Sequence, residues 1–210
     1  MKLIAATSNP NKLIEFRAIL SPLGIEVVSM HDIGFTDEIE ETGTTFAENA
    51  AIKARAIFAA TGQPVFSDDS GLVVDALDGR PGVYSARYGG DIPHSEKIKL
   101  LLSELDGIPP EKRTARFVCV IHCILPDKTT PALTPPLQGR GIEIICEGLC
   151  EGAIGLATAG GGGFGYDPVF FRGGISTAQM SEDEKNAISH RGQALRELAR
   201  QLQNHGGLIS

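Results

Sequence analysis

With 210 residues, 42% of them hydrophobic and 21% charged, the chain has ordinary globular composition and a length suited to one domain of two lobes with a substantial core. A formal net charge of −7 without any Lys/Arg run argues against a nucleic-acid duplex or a membrane surface as partner, and no apolar run approaches the roughly 20 residues of a membrane helix. The apolar start turns polar at Thr7-Ser8-Asn9-Pro10, too soon for a secretory signal, so a cytoplasmic location is expected.

Lys2 to Ala6 predicts a buried strand, and Leu13, Phe16 and Leu20 a following amphipathic helix. Asn9 can cap that helix with Pro10 in its first turn. The turn between them, Thr7 to Lys12, gathers hydroxyls, unpaired backbone N–H groups and a lysine at the positive end of a helix dipole. That composition serves an anion site or a plain capped turn, and it is neither a P-loop nor a dinucleotide fingerprint. Ile25 to Met30 predicts a second strand, and the acidic loop Asp37 to Gly43 leads to a helix opened by the capping box Thr45-x-x-Glu48. Phe46, Ala50, Ala54, Ile57 and Phe58 form its apolar stripe. Lys53 projects beside that stripe with Asn49 near it, either snorkelling or meeting an anionic partner.

Asp68-Asp69-Ser70-Gly71 ends the short apolar run Pro64-Val65-Phe66 with two adjacent carboxylates, and a glycine turn is expected behind them before Leu72-Val73-Val74 resumes as a strand. Such a pair suits a metal or a simple turn. Successive side chains on an extended segment point to opposite faces, so one of the two aspartates is expected to serve structure. Leu77 to Tyr88 forms a Gly/Pro-punctuated loop, and Ser95 to Leu105 a helix with Ile98, Leu101, Leu102 and Leu105 inward. Arg113 to Leu125 alternates Ala115, Phe117, Cys119, Ile121, Cys123 and Leu125, a long strand with His122 on its other face as a surface or packing residue. Cys119, Cys123, Cys146 and Cys150 read as buried free thiols rather than a zinc site.

Residues 126–140 carry four prolines and predict an exposed, mobile loop, after which Ile142 to Ile145 resumes as strand. The glycines of Gly160 to Gly165 permit close backbone approach to a ligand, and Phe164 and Tyr166 offer stacking faces. The C-terminal helix opens at Ser181-x-x-Glu184 or starts afresh at Ser189. Its stripe of Ile188, Leu195, Leu198 and Leu202 places Arg191 at an apolar position, where a buried guanidinium needs an anion, either a ligand or a core carboxylate.

Several of these segments occur together in one family. Thr7-Ser8-Asn9-x-x-Lys12, Glu41-Thr42-Gly43, Phe46-x-x-Asn49-Ala50-x-x-Lys53, Asp68 to Leu72, Pro81 to Arg87, Phe164 to Pro168 and Ser189-His190-Arg191 stand in the order seen in the inosine-triphosphate pyrophosphatases, also called XTP/dITP diphosphatases. The chain resembles that family from Lys2 to about Leu202. The resemblance implies an α/β fold of two lobes, with a central mixed, elongated sheet flanked by helices and an active-site cleft between the lobes. It implies Mg2+-dependent hydrolysis of deaminated purine nucleoside triphosphates (dITP, ITP, XTP) to the monophosphate and pyrophosphate, in a homodimer. It makes Thr7, Ser8, Asn9, Pro10, Asn11 and Lys12 phosphate-binding, with Lys53 adding charge. Asp69 becomes metal ligand and general base, and Glu41 a second carboxylate toward Mg2+. Ser70, Phe164, Gly165, Tyr166, Asp167, Lys185, His190 and Arg191 hold the nucleotide.

This chemistry suits these residues. Charge developing on phosphoryl oxygens is stabilised by lysines, a metal and a helix N-terminus, and Mg2+ takes only one or two protein carboxylates. Asp68 can share the activation of water, because a carboxylate bound to the metal is a poorer base. Three departures from the family pattern stand out: Ser8 where glycine is common, Ala159 to Gly163 in place of a more rigid approach to Phe164, and a longer 126–140 stretch. A non-hydrolytic nucleotide-binding module and a pyrophosphatase for other modified nucleotides are the competing readings.

Overall fold

The structure, a computed structural model, describes residues 1–127 and 141–204. The expected loop at 126–140 falls outside them from residue 128 onward. Its first residue, Pro126, closes a strand.

Seven strands form one sheet in the order β2-β1-β3-β4-β5-β6-β7. The chain divides into two compact units: Met1–Asp69 with Cys119–Glu147 and Gly192–Ser210, and Ser70–Val118 with Gly148–Arg191. In the first unit β1 (Lys2–Ala5) pairs in parallel with β2 (Glu26–Ser29), and Ile4 and Ala5 pair with Val65 and Phe66 of β3 (Val65–Val74). Between β1 and β2 runs α1 (Pro10–Leu20), capped by Asn9 as expected. Helix α2 (Phe46–Thr61) opens with the Thr45/Glu48 capping box and ends at Gly62, whose φ of +63° suits a residue without a Cβ.

Strand alternation sorts the first unit's core into two layers. Leu3, Ala5 and Phe66 pack with Phe16 and Leu20 of α1 and with Leu195, Leu198 and Leu202 of α5 (His190–Asn204). Ile4 and Val65 pack with Ala54 and Ile57 of α2. From β4 (Thr114–Pro126), Cys119, Ile121, Cys123 and Leu125 join the first layer, as their alternation predicts. The opposite face is also covered. His122 is 2% exposed, with Nε2 3.1 Å from Glu143 Oε2, so it is a packing residue and not a surface one.

Two strands run further than the sequence suggests. Strand β3 continues without a break from Val65 through Gly71 to Val74, so the glycine turn expected after the aspartates is absent. Strand β5 spans Gly141–Ile154 rather than four residues, and its alternation buries Cys146 and Cys150. All four cysteines are buried and free. Burial pushes the Cys146 thiol up to about 11 and Cys123 higher still, which keeps them protonated and poor metal ligands.

The second unit packs α3 (His94–Glu104) through Ile98 and Leu101, with Leu105 just past its end, onto Leu72, Val74, Ala115, Ile154 and Phe170. Strands β6 (Phe170–Arg172) and β7 (Ile175–Ser176) are antiparallel. Arg113, 5% exposed, donates to the carbonyls of Leu105, Ile108 and Gly155 at 2.7, 2.9 and 3.1 Å, and Leu105 O also accepts from Ile108 N at 3.0 Å. Both alternatives for the C-terminal helix are realised. Ser181 and Glu184 open α4 (Glu182–Ile188), and the extended Ser189 (φ −67°, ψ 151°) separates it from α5. Ile188 therefore belongs to α4, not to the α5 stripe. Among the described residues no helix is long and apolar enough to cross a membrane.

Candidate active site

The first unit concentrates charge around the end of its β3 segment. Asp68 and Asp69 occupy opposite faces of the strand, as period-two geometry requires. On one side Asp68, fully buried, accepts from Lys12 Nζ at 3.0 Å and lies 4.0 Å from the Cys119 thiol. On the other, Asp69 Oδ2 accepts from Asn49 Nδ2 at 3.2 Å, and Asp69 Oδ1 is 3.8 Å from Lys53 Nζ. The same ammonium donates to Glu41 Oε1 at 2.5 Å. Glu41 and Asp69 therefore converge on one cationic point. The anionic partner expected for Lys53 is this carboxylate pair.

Burial works to lower the Lys53 pKa, yet Asp68, Asp69 and Glu41 together outweigh it and the pKa rises. Burial pushes the Asp69 carboxyl up to about 6 against the pull of Lys53 and Lys12, with Glu41 adding to the rise.

Asn49 was not among the expected site residues, yet it organises this corner. It is fully buried, and its Oδ1 accepts from Gly43 N at 2.8 Å while its Nδ2 holds Asp69. A Cβ on Gly43 would lie 2.6 Å from that Oδ1, so the Glu41-Thr42-Gly43 segment needs a glycine to come this close. Its place in the Phe46-x-x-Asn49 motif was the available signal.

The α1 turn differs from expectation. Asn9 Oδ1 accepts from the amides of Asn11 and Lys12, and Thr7 Oγ1 accepts from Asn9 N at 3.2 Å. Those amides are consumed by the cap and are not unpaired. Ser8, Pro10 and Asn11 are exposed, Thr7 is buried and Asn9 is half-buried.

The second unit gathers the remaining expected residues. Asp167, 4% exposed, divides its oxygens: Oδ2 accepts from Phe164 N at 2.7 Å and Lys185 Nζ at 2.8 Å, and Oδ1 accepts from Thr177 Oγ1 at 2.9 Å. Lys185 Nζ and the Arg191 guanidinium lie over the Phe164 ring at 4.6 and 5.7 Å from its centroid. Arg191, 3% exposed, also donates from Nη2 to Ser70 Oγ at 2.9 Å. His190 stacks on Phe117 with centroids 4.8 Å apart and planes at 14°. Phe117, expected only as one of the alternating positions of β4, is half-buried and lines a small cavity with Asp167, Lys185, Ser189 and His190.

Two expectations for this segment need correcting. Tyr166 is no stacking face: it is 3% exposed, its hydroxyl donates to Ser85 O at 3.0 Å, and its ring meets His94 edge-on. The glycines approach the protein itself. Gly162 N donates to Ala178 O at 3.0 Å, and a Cβ on Gly160 or Gly163 would meet the Ala178 carbonyl or the Asp167 carboxylate at 2.6 or 2.2 Å.

Among the described residues no group of three or more His, Cys, Asp or Glu side chains could hold a metal ion by itself. The donor chemistry still fits a hard divalent cation, because two carboxylates already meet at one positive centre and such an ion needs no more from the protein.

The chain is similar to known proteins over nearly its whole length. Its residues 3–201 match the model of the Ham1 family. It is 48% identical to a dITP/XTP pyrophosphatase of Nitratidesulfovibrio vulgaris, over 93% of this chain and 93% of that protein. It is 46% identical to a dITP/XTP pyrophosphatase of Bacillus subtilis, over 95% and 96%. A solved HAM1 protein from Coxiella burnetii superposes with a TM-score of 0.82 at 39% identity, covering 97% of this chain and 99% of that one. With the matched segments running through nearly the whole length, the chain belongs to the Ham1 family.

Proposed function

We propose that the chain hydrolyses deaminated purine nucleoside triphosphates (dITP, ITP, XTP) to the nucleoside monophosphate and pyrophosphate. The observation that carries this reading is the meeting of Lys12, Lys53, Glu41, Asp68 and Asp69 around one strand segment, in a chain 48% identical to a protein named for that activity. Lys12 and Lys53, with the start of α1, bind the triphosphate. Asp69 and Glu41 would hold a divalent cation, Mg2+, which when bound would supply positive charge against the phosphoryl oxygens. Asp69, held by Asn49, takes the proton of the attacking water at a carboxylate oxygen, and Asp68 fixes Lys12.

Phe164, Lys185, Asp167, Ser70, His190 and Arg191 form the purine end. Hypoxanthine and xanthine offer a 6-keto oxygen and an N1–H where adenine offers an amine and an acceptor, so donors matched to the keto edge leave adenine's groups unpaired. The homodimer, which rests on the family resemblance, and the cytoplasmic setting belong to the same proposal.

Pyrophosphate release from dITP, XTP, dGTP and dATP, each with Mg2+ and with chelator, tests the proposal. Fast, metal-dependent turnover of dITP and XTP is expected. Equal rates on dITP and dGTP would remove the assignment.

A further inference from the structure

The geometry points to Thr177 as a positioning residue for purine recognition: its hydroxyl holds the Asp167 carboxylate so that this one group can organise both Phe164 and Lys185. The inference rests on the proposed function and deepens its purine end. Gly160 to Gly163 leave the approach to Phe164 with little intrinsic stiffness, because glycines lose the most conformational freedom on ordering. The stiffness comes from the turn at 176–180. Ser176 Oγ donates to Ala159 O at 2.5 Å, Gly162 N donates to Ala178 O at 3.0 Å, and Gly160 packs against the Ala178 carbonyl. That turn is itself closed by a reciprocal Ser176/Gln179 capping box.

Thr177 is the member of the turn that reaches the purine-binding groups. It is 4% exposed, and its Oγ1 lies 2.9 Å from Asp167 Oδ1 and 3.2 Å from the Asp167 carbonyl. Asp167 Oδ2 is thereby left to Phe164 N and Lys185 Nζ, and Lys185 Nζ sits over the Phe164 ring. Without the hydroxyl, a nearly buried carboxylate oxygen loses its donor and the carboxylate can rotate, which loosens the loop and the lysine together. Thr177 touches none of the reacting atoms, so its effect falls on binding of the purine and not on phosphoryl chemistry.

The test compares wild type, Thr177→Val and Thr177→Ser with dITP and dGTP under saturating Mg2+, alongside thermal unfolding. Thr177→Val keeps the shape and removes the hydroxyl. It should raise the dITP KM by about tenfold, the scale of one hydrogen bond to a charged group, with kcat within about twofold and reduced preference over dGTP. Thr177→Ser, which keeps the hydroxyl, should recover most of the wild-type KM. Should the valine variant fail to fold, Thr177→Ala against Thr177→Ser isolates the same hydroxyl and carries the same expectation. An active wild type with an unchanged KM in the hydroxyl-free variant, or equal KM increases for the serine and hydroxyl-free variants, overturns the positioning role alone. A wild type inactive on dITP overturns the proposed function and this inference with it.

Discussion

Asp69→Asn should destroy activity and stabilise the protein, with a pH signature that identifies the cause. Folding raises the Asp69 pKa from 3.8 to about 6, chiefly through burial. A carboxyl raised in this way favours the folded state while protonated. That contribution is complete below pH 3.8 and is lost as pH rises through about 6. The gap amounts to about 3 kcal/mol at pH 8, of which about half is already lost at pH 5. The figure is net of attraction to Lys53 and Lys12, because both act on the same carboxylate. Asparagine keeps the oxygen that accepts from Asn49 and has no proton to lose.

Relative to wild type, the variant should therefore gain about 1–2 kcal/mol more at pH 8 than at pH 5, or about 2–8 °C in Tm for a chain of this size. Thermal unfolding by circular dichroism, in chelator at both pH values, measures the gap. A Tm difference independent of pH, or a variant less stable at pH 8, would refute the burial argument. Adding Mg2+ should raise the wild-type Tm and leave that of Asp69→Asn unchanged, since ligand binding to the folded state alone is what shifts the transition.

Arg113→Met should cost about 2 kcal/mol in urea unfolding, because the Ile108 and Gly155 carbonyls lose their donor at about 1 kcal/mol each while Leu105 O keeps the Ile108 amide, and a loss below about 1 kcal/mol would show that water replaces the guanidinium. Arg55→Ala should cost less than about 1 kcal/mol although Arg55 meets Glu143 through two bonds of 3.1 and 2.9 Å, because the side chains are 60% and 37% exposed; a loss above about 2 kcal/mol would give that pair a structural role.

Local signals placed the elements well and the side-chain partnerships less well. Asn9, Thr45 and Ser181 announced their helices because capping is a matter of a few adjacent residues, and the β4 alternation announced which residues enter the core. The unbroken run of β3 through Ser70-Gly71 was illegible, because Asp, Ser and Gly are poor strand formers and only pairing within the sheet holds them extended. The charged side chains at the cluster were legible by type: Lys12, Lys53, Glu41 and Asp69 stand out in the sequence, and all four take part in its ion pairs. Their pairing was not. Lys12 selects Asp68 across 56 positions, and nothing in either neighbourhood specifies it. Phe117 and Thr177 escaped for the same reason, since an apolar strand residue and a turn threonine gain their meaning only from His190 and Asp167 beside them.

The charge count of the first unit's cluster suggests why a stable protein would keep such an arrangement. Glu41, Asp68 and Asp69 face Lys12 and Lys53, three acids against two bases, so the fully ionised group carries one net negative charge. A polyphosphate would be repelled by that group as it stands. On the proposed reading, Glu41 and Asp69 would hold a divalent cation, whose two positive charges would bring the net charge of the group to one positive. Binding of the anion then depends on prior or joint binding of the metal, and positive charge beside Asp69 would oppose the rise that burial imposes on its carboxyl. Had the cluster been neutral without metal, the phosphates could bind unproductively. The excess negative charge guards against that outcome, and burial of the Asp69 carboxylate within it carries a cost in stability that Asp69→Asn should reveal.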